Sequence, residues 1–187
     1  MGGIVKIEEK EYKKCKIEIG YDECAESPVE WQISRIVAWH PRYTIGQEYI
    51  PRDEVPSEGI DRLINSSGVM SVDHYSELMA YSSLYMYDHS GITISTSPFY
   101  CHWDSGQVGY VYITKKDAAR NKIKTEKEAM KIIEDDVQCY DRYIRGEIHY
   151  YCIYDQNGDI FEQIYNIDDS VENLMVECQS IIDKGVE

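Results

Sequence analysis

Long hydrophobic runs are missing from this sequence, and so is the pattern of a secretory signal. No apolar stretch approaches the roughly 20 residues that a membrane-spanning helix requires. Charges at Lys6, Glu8 and Glu9 come too early for a signal peptide, and Lys6 stands where a myristoylation motif has Ser or Thr. The sequence therefore predicts a soluble protein of the cytoplasm with no membrane partner.

Paired cysteines are also lacking. No two of the six cysteines have the C-x-x-C spacing that is typical of zinc sites and redox motifs. Isolated cysteines of a cytosolic protein are usually small core residues. Four of them fall on the apolar phase of an expected strand or helix, namely Cys15, Cys139, Cys152 and Cys178. We therefore predict buried thiols, no metal site and no cofactor.

Basic residues are scarce. Nineteen Lys and Arg stand against 34 Asp and Glu, which gives a net charge of −15. The imbalance is greatest in residues 146–187, where one lysine and ten acidic residues give −9. Because phosphates would repel such a chain, direct binding to nucleic acid is not expected. Residues 115–131 are an exception, with seven basic and three acidic residues, and they predict a solvated helix face.

Repeats, low-complexity tracts and Pro- or Ser-rich linkers are absent as well. With 43% hydrophobic residues, the chain can bury a core large enough to offset the entropy of ordering it. The sequence therefore predicts a single domain over residues 1–187.

Several stretches have the alternation or the β-branched composition of strands. Two turn signals, residues 88–91 and the pair Asn157-Gly158, each lie between two such stretches, which predicts two hairpins. The expected strands are residues 15–19, 33–39, 84–87, 92–96, 108–113, 148–154 and 160–165.

Two helices are well marked. Thr125 and Glu128 form a capping box, and apolar residues then recur at helical spacing over residues 129–144. A second amphipathic helix is expected over residues 171–182, and residues 71–82 are compatible with a short third one. Hairpins beside separate helices predict an α+β fold, with a mostly antiparallel sheet built from hairpins and two or three packed helices.

Polar side chains are densest in residues 88–107, from Asp88 to Gln107. A cysteine or a serine there could be a nucleophile with a histidine as its base, or histidine, cysteine and aspartate could hold a metal. Gly106 and Gly109 could instead approach a phosphate. The side chains concerned are His89, Cys101, His102, Asp104 and Ser105.

None of these three sites has the spacing of a known motif. Cys101 and His102 are neighbours, which point to opposite faces of an extended chain, and residues 104–106 lack the first glycine of G-x-S-x-G. The favoured interpretation is a turn-rich hairpin junction whose polar side chains bond to backbone groups, with Trp103 packed beneath it. If the chain is instead an enzyme, the expected catalytic residues are His89, Asp104, Ser105 and Gln107.

Acidic residues and tyrosines point to protein recognition. An array of carboxylates on one surface can mimic duplex DNA, which carries one charge per about 1.7 Å of its axis. The 17 tyrosines can cover contact area at little entropy cost. We expect the acidic C-terminal third to carry part of a partner-binding surface, formed by Asp168, Asp169, Glu172 and Glu177.

Residues 84–115 read LYMYDHSGITISTSPFYCHWDSGQVGYVYITK. This stretch resembles the signature of a family of small uncharacterised proteins found in bacteria and their phages. The resemblance extends to residues 38–46 and 137–147 and to the Asn157-Gly158 hairpin. The pattern of that family has proline at the position of His102, which argues against a catalytic role for His102. The family carries no activity to transfer, but its association with phages implies a role in host takeover or in evasion of host defences.

Three functions of different classes remain open. The first is a phage or mobile-element accessory protein that acts as an acidic, non-enzymatic inhibitor of a host nucleic-acid-handling defence protein, of the anti-CRISPR or anti-restriction type. The alternative is a small enzyme or nucleotide-binding protein with its site around residues 88–107. The third is an accessory protein that assembles only with itself, as a homo-oligomer.

Overall fold

The computed structural model describes residues 5–49 and 78–185. Within these ranges the fold is α+β, as the sequence predicts, and the strands form one four-stranded and one five-stranded sheet. By contacts the chain divides into two compact units. The terminal unit comprises the segments through Ser27 and from Arg142 onward, and the central unit is Pro28–Asp141. The expectation of a single domain over residues 1–187 stays a prediction.

The terminal unit is a four-stranded antiparallel sheet with a helix on one face. Its strands are β1 (Val5–Tyr12), β2 (Cys15–Tyr21), β8 (His149–Tyr154) and β9 (Ile160–Ile167), in that spatial order, and α3 (Val171–Gly185) follows β9. Alternate residues of β2 and β8 pack on the apolar stripe of α3, and this core includes Ile17, Ile19, Tyr151, Ile153, Leu174 and Cys178.

The central unit contains the five-stranded sheet, in the order β4-β3-β7-β5-β6. The strands are β3 (Arg35–Ala38), β4 (Glu48–Tyr49), β5 (Leu78–Asp88), β6 (Ile92–Ser95) and β7 (Ser105–Thr114). β3 and β4 are parallel, and the other neighbouring strands of this sheet are antiparallel. A 3₁₀ turn (Pro28–Glu30) precedes β3, and the helices α1 (Lys115–Arg120) and α2 (Glu126–Ile144) follow β7.

Local signals predict the hairpins and the start of α2 correctly. The Thr125 side chain accepts from the Glu128 N–H at 3.1 Å while the Glu128 carboxylate accepts from the Thr125 N–H at 3.2 Å, so the capping box is confirmed. Gly158 has a φ of +85° in the β8–β9 turn, where the Asp155 carboxylate accepts from the backbone N–H groups of Asn157 and Asp159.

The short helix expected over residues 71–82 is wrong for residues 78–82, which belong to β5; residues 71–77 lie outside the described ranges. The reason is tertiary, because β7 pairs with β5 from Leu78 to Tyr87, with Leu78 opposite Thr114 and Ala80 opposite Ile113. The sequence did not predict β1, because its residues are exposed and mostly charged and so lack the alternation of apolar and polar residues that indicates a strand. In the described ranges, none of the helices is long and apolar enough to cross a membrane.

Candidate functional site

The central unit contains an open cleft of about 420 Å³. Residues 39–42 after β3 form one wall, and the end of β5 with the start of β7 forms the other. The lining residues are 39–42, Met86, Asp88 and 103–108. Residues 38–46 and 84–115 therefore both contribute to one cleft although about 40 residues separate them in the chain.

Asp88 holds the two walls together. Its backbone N–H donates to the Asp104 carbonyl at 2.8 Å, and its carboxylate forms an ion pair with Arg42 and accepts from the Tyr43 hydroxyl at 3.4 Å. The Arg42 guanidinium also lies over the Tyr43 ring, 5.4 Å from the ring centroid. Sequence reasoning did not pair Arg42 with Asp88, because nothing in the local pattern links residues 46 positions apart.

The predicted enzyme residues come together only in part. His89 Nδ1 lies 3.3 Å from an Asp104 carboxylate oxygen, and the Cys101 sulfur lies 3.8 Å from the same oxygen. The Ser105 hydroxyl donates to the Cys101 carbonyl at 2.5 Å, and the Gln107 side-chain amide donates to the Gly109 carbonyl at 3.3 Å. Two of the four candidates, Ser105 and Gln107, are therefore bonded to backbone groups, as expected of a structural junction.

His89 does not line the cleft. Its ring stacks on Tyr87 with 6.0 Å between the ring centroids, and its side chain is largely exposed. A histidine that serves as general base must reach the proton that it takes, and the Ser105 proton is directed at a carbonyl oxygen. The arrangement is therefore not that of an activated serine nucleophile.

The loop between β6 and β7 exposes two large aromatic side chains. Tyr100 is fully exposed and Trp103 is 96% exposed. The expectation that Trp103 packs beneath the junction is wrong, because its side chain is in solvent. Phe99 is half-buried and contacts Tyr87 instead, with 5.8 Å between the ring centroids. We call residues 96–104 the aromatic loop.

The four acidic residues predicted to bind a partner lie in the terminal unit, at the start of α3 and along it. Asp168 forms a two-pronged ion pair with Arg142, and the second of these contacts is 2.7 Å long. One Asp169 carboxylate oxygen accepts from the Asn173 side chain and from the Ser170 N–H, and these bonds lower the pKa of Asp169. Both carboxylates therefore have structural partners.

Glu172 and Glu177 are exposed on α3. They are five residues apart, which at about 100° per residue places them about 140° apart around the helix axis. The structure thus does not bring the four predicted residues onto one face of the helix. Their role in partner binding stays a prediction.

The cysteines are distributed between the core and the surface. Cys15, Cys152 and Cys178 are buried, as predicted, whereas Cys139 is only half-buried and Cys24 is exposed. Burial is the main cause of the raised pKa of Cys178, which is about 12, so this thiol stays protonated. Among the side chains of residues 5–47 and 78–185, no three His, Cys, Asp or Glu are grouped so that they could hold a metal ion.

No protein-family model, no curated protein and no solved structure matches this chain. The function must therefore be argued from the geometry of its own residues.

Proposed function

We propose that this chain is a non-enzymatic binding protein that docks on another protein through its aromatic loop and the adjoining cleft. The observation that carries the proposal is the exposure of Tyr100 and Trp103 on the aromatic loop, where Trp103 also lines that cleft. Exposing two large aromatic side chains to water is unfavourable, and tryptophan and tyrosine are enriched among the residues that dominate the energy of protein interfaces.

The cleft beside the loop has the composition of a contact surface. Trp39 and Pro41 supply apolar area, and the Arg42–Asp88 ion pair supplies polar groups beside it. Protein interfaces commonly combine an apolar centre, rich in aromatic residues, methionine and arginine, with a polar surround. A side chain from a partner could fill the cleft while Trp103 covers it from the rim.

The side chains of residues 88–107 support binding over catalysis. Ser105 and Gln107 are bonded to backbone carbonyls, and His89 lies outside the cleft. The Ser105 bond to Cys101 thus fixes the end of the aromatic loop against β7, and a preorganised loop loses little entropy on binding.

The net charge of −15 favours a basic partner. Proteins that handle nucleic acid present basic channels, and the phage resemblance suggests one that belongs to a host defence system. We therefore propose an inhibitor of the anti-CRISPR or anti-restriction type. Exposed acids such as Glu172 and Glu177 would speed association by long-range attraction, which salt would screen.

The test is binding of the full chain to purified host nucleic-acid-handling proteins, with and without competing DNA, at low and high salt. The variant Tyr100→Ala with Trp103→Ala is expected to weaken binding by at least about tenfold, since interface aromatics typically contribute about 2 kcal/mol or more. Trp31→Ala is a matched control, because Trp31 is 53% exposed but does not line the cleft. Equal binding by the aromatic variant and the parent would contradict the proposal.

One observation favours a second candidate, a small enzyme or nucleotide-binding protein. The Asp104 carboxylate lies within reach of both His89 and Cys101, at the edge of a cleft large enough for a small ligand. Fluorescence titration of Trp39 and Trp103 with nucleotides tests it. This candidate requires saturable binding that Asp104→Asn abolishes, and it fails if no nucleotide changes the emission of the parent.

A further inference from the structure

A second cavity, of about 300 Å³, lies in the terminal unit beside the ends of β2 and β9. Three tyrosines, Tyr21, Tyr150 and Tyr165, contribute to its walls, and the loop of residues 22–26 contributes the rest together with Asn166. The surface that lines it is mainly apolar, although three of its residues are carboxylic acids, Asp22, Glu23 and Glu26.

Hydrogen bonds hold the loop wall in place. One Asp22 carboxylate oxygen accepts from the Cys24 N–H at 3.0 Å, and the other accepts from the Asn166 N–H at 2.8 Å. The Asn166 side-chain oxygen in turn accepts from the Glu26 N–H at 3.1 Å. Asn166 has a φ of +59°, an uncommon conformation that asparagine tolerates better than most residues. Both ends of the loop of residues 22–26 are thus hydrogen-bonded to Asn166 of β9, so this wall of the cavity has a defined position.

Tyr21 and Tyr165 present ring surface to this cavity, whereas Tyr150 is only 2% exposed. Tyr150 and Tyr165 stack with 5.6 Å between their centroids, and Tyr165 stays 49% exposed. The Tyr150 hydroxyl donates to the Glu18 carboxylate at 3.0 Å, so its polar end is already satisfied. Cys152 is the largest cause of the raised pKa of Tyr165, and the Asp22 carboxylate adds to it, so this ring stays neutral at physiological pH.

The charged residues that line the cavity are all acidic. Its lining residues, as far as the described part of the chain contributes them, include no Lys or Arg. Carboxylates beside aromatic rings attract a cation that is itself partly apolar, since the ring faces are negative and the carboxylates supply net charge. A hydrated metal ion would gain nothing from the ring surface, whereas an alkylammonium or a guanidinium group would use both features.

We propose that this cavity binds an organic cation of the ammonium or guanidinium class. Its volume suits one lysine or arginine side chain or a small quaternary amine. The site lies in the terminal unit and shares no residue with the aromatic loop or its cleft, so this proposal does not depend on the proposed function.

Pairs of charged and neutral isosteres test the proposal on the full chain. Choline is compared with 3,3-dimethylbutanol, and arginine amide with citrulline amide, by calorimetry and by NMR of the tyrosine ring protons. At least one cation is expected to bind about tenfold or more tightly than its neutral isostere, and to shift the Tyr165 signals. Equal affinity of cation and isostere, or no binding of either cation, would overturn the proposal.

Variants locate the binding. Tyr165→Leu is expected to weaken the cation about fivefold or more, while Tyr165→Phe keeps the ring and retains binding. Glu23→Gln with Glu26→Gln is expected to weaken it as well and to reduce its salt dependence, whereas the matched control Glu172→Gln lies on α3 outside the cavity and leaves binding unchanged. Circular dichroism checks that each variant is folded. Should Tyr165→Leu and the double variant bind as the parent does, the cation is held elsewhere and the assignment is wrong.

A peptide with a single arginine distinguishes the two sources of such a cation. Tighter binding of the peptide than of arginine amide identifies a protein side chain as the ligand. Tighter binding of choline than of the peptide identifies a free small molecule. Both outcomes support binding of an organic cation. If neither the peptide nor choline binds, the proposal is refuted.

Discussion

Removal of Trp103 is expected to leave the stability of the protein nearly unchanged. The residue is 96% exposed, so folding covers only 4% of its surface (100 − 96). A fully buried tryptophan removes about 200 Å² of surface from water, so Trp103 removes only about 10 Å² on folding. At about 25 cal/mol per Å², this burial stabilises the fold by about 0.25 kcal/mol. Trp103→Ala should therefore change the free energy of unfolding by less than about 0.5 kcal/mol.

Urea denaturation followed by far-UV circular dichroism measures this change without relying on tryptophan emission. Tyr112→Ala is the contrasting variant, because Tyr112 is 1% exposed in β7, and its truncation is expected to cost about 3 kcal/mol or more. A loss above about 1.5 kcal/mol for Trp103→Ala would refute the reasoning. It would mean that Trp103 packs against the protein, and the docking role proposed for the aromatic loop would lose its main support.

Three further predictions concern carboxylates. Asp168→Lys should lower the free energy of unfolding by about 1 kcal/mol, since it breaks the two-pronged ion pair with Arg142. Glu172→Lys, at an exposed position of α3, should leave that free energy unchanged within about 0.5 kcal/mol. Urea denaturation of the two variants and the parent measures both changes. Burial raises the pKa of Asp136 above 3.8, so ionisation of this carboxyl destabilises the folded state as pH rises. Asp136→Asn should therefore raise the melting temperature at pH 7. It should not raise it below pH 3.8, where the carboxyl is protonated in the parent. Burial opposes ionisation of Glu18, but hydrogen bonds from Lys6 and Tyr150 outweigh it and hold its pKa below 4.5. The stability that Glu18 contributes is therefore present above pH 4.5 and is lost as pH falls through the pKa of the folded state. Glu18→Gln should make the melting temperature depend less on pH below pH 4.5 than it does in the parent. An unchanged dependence of melting temperature on pH would contradict this.

Elements whose signal lies within a few residues are the ones that the sequence predicts well. The β8–β9 hairpin follows from Asn157-Gly158, and the start of α2 follows from Thr125 and Glu128, because the stabilising hydrogen bonds join residues at most four apart. The antiparallel hairpins and the amphipathic α3 follow in the same way, which is why the α+β class is correct.

Contacts between distant residues could not be read in this manner. The Asp141 carboxylate on α2 accepts hydrogen bonds from the Thr93 hydroxyl at 2.6 Å and from the Ile94 N–H at 2.7 Å. No local sequence pattern predicts that a carboxylate will bond to donors of β6, 47 residues away. The extension of β5 to Leu78 likewise depends on its partner β7, since strand pairing satisfies backbone groups wherever a neighbour is available.

The candidate site shows the same division. Composition alone determined that the chain is strongly acidic, rich in tyrosine and polar between Asp88 and Gln107, because these properties do not depend on conformation. Only the tertiary structure decided which of those groups are free to act. It directs the Ser105 hydroxyl to a carbonyl, pairs Asp168 with Arg142 and leaves Trp103 in solvent, since a side chain's partners and exposure depend on segments that the chain brings together only by folding.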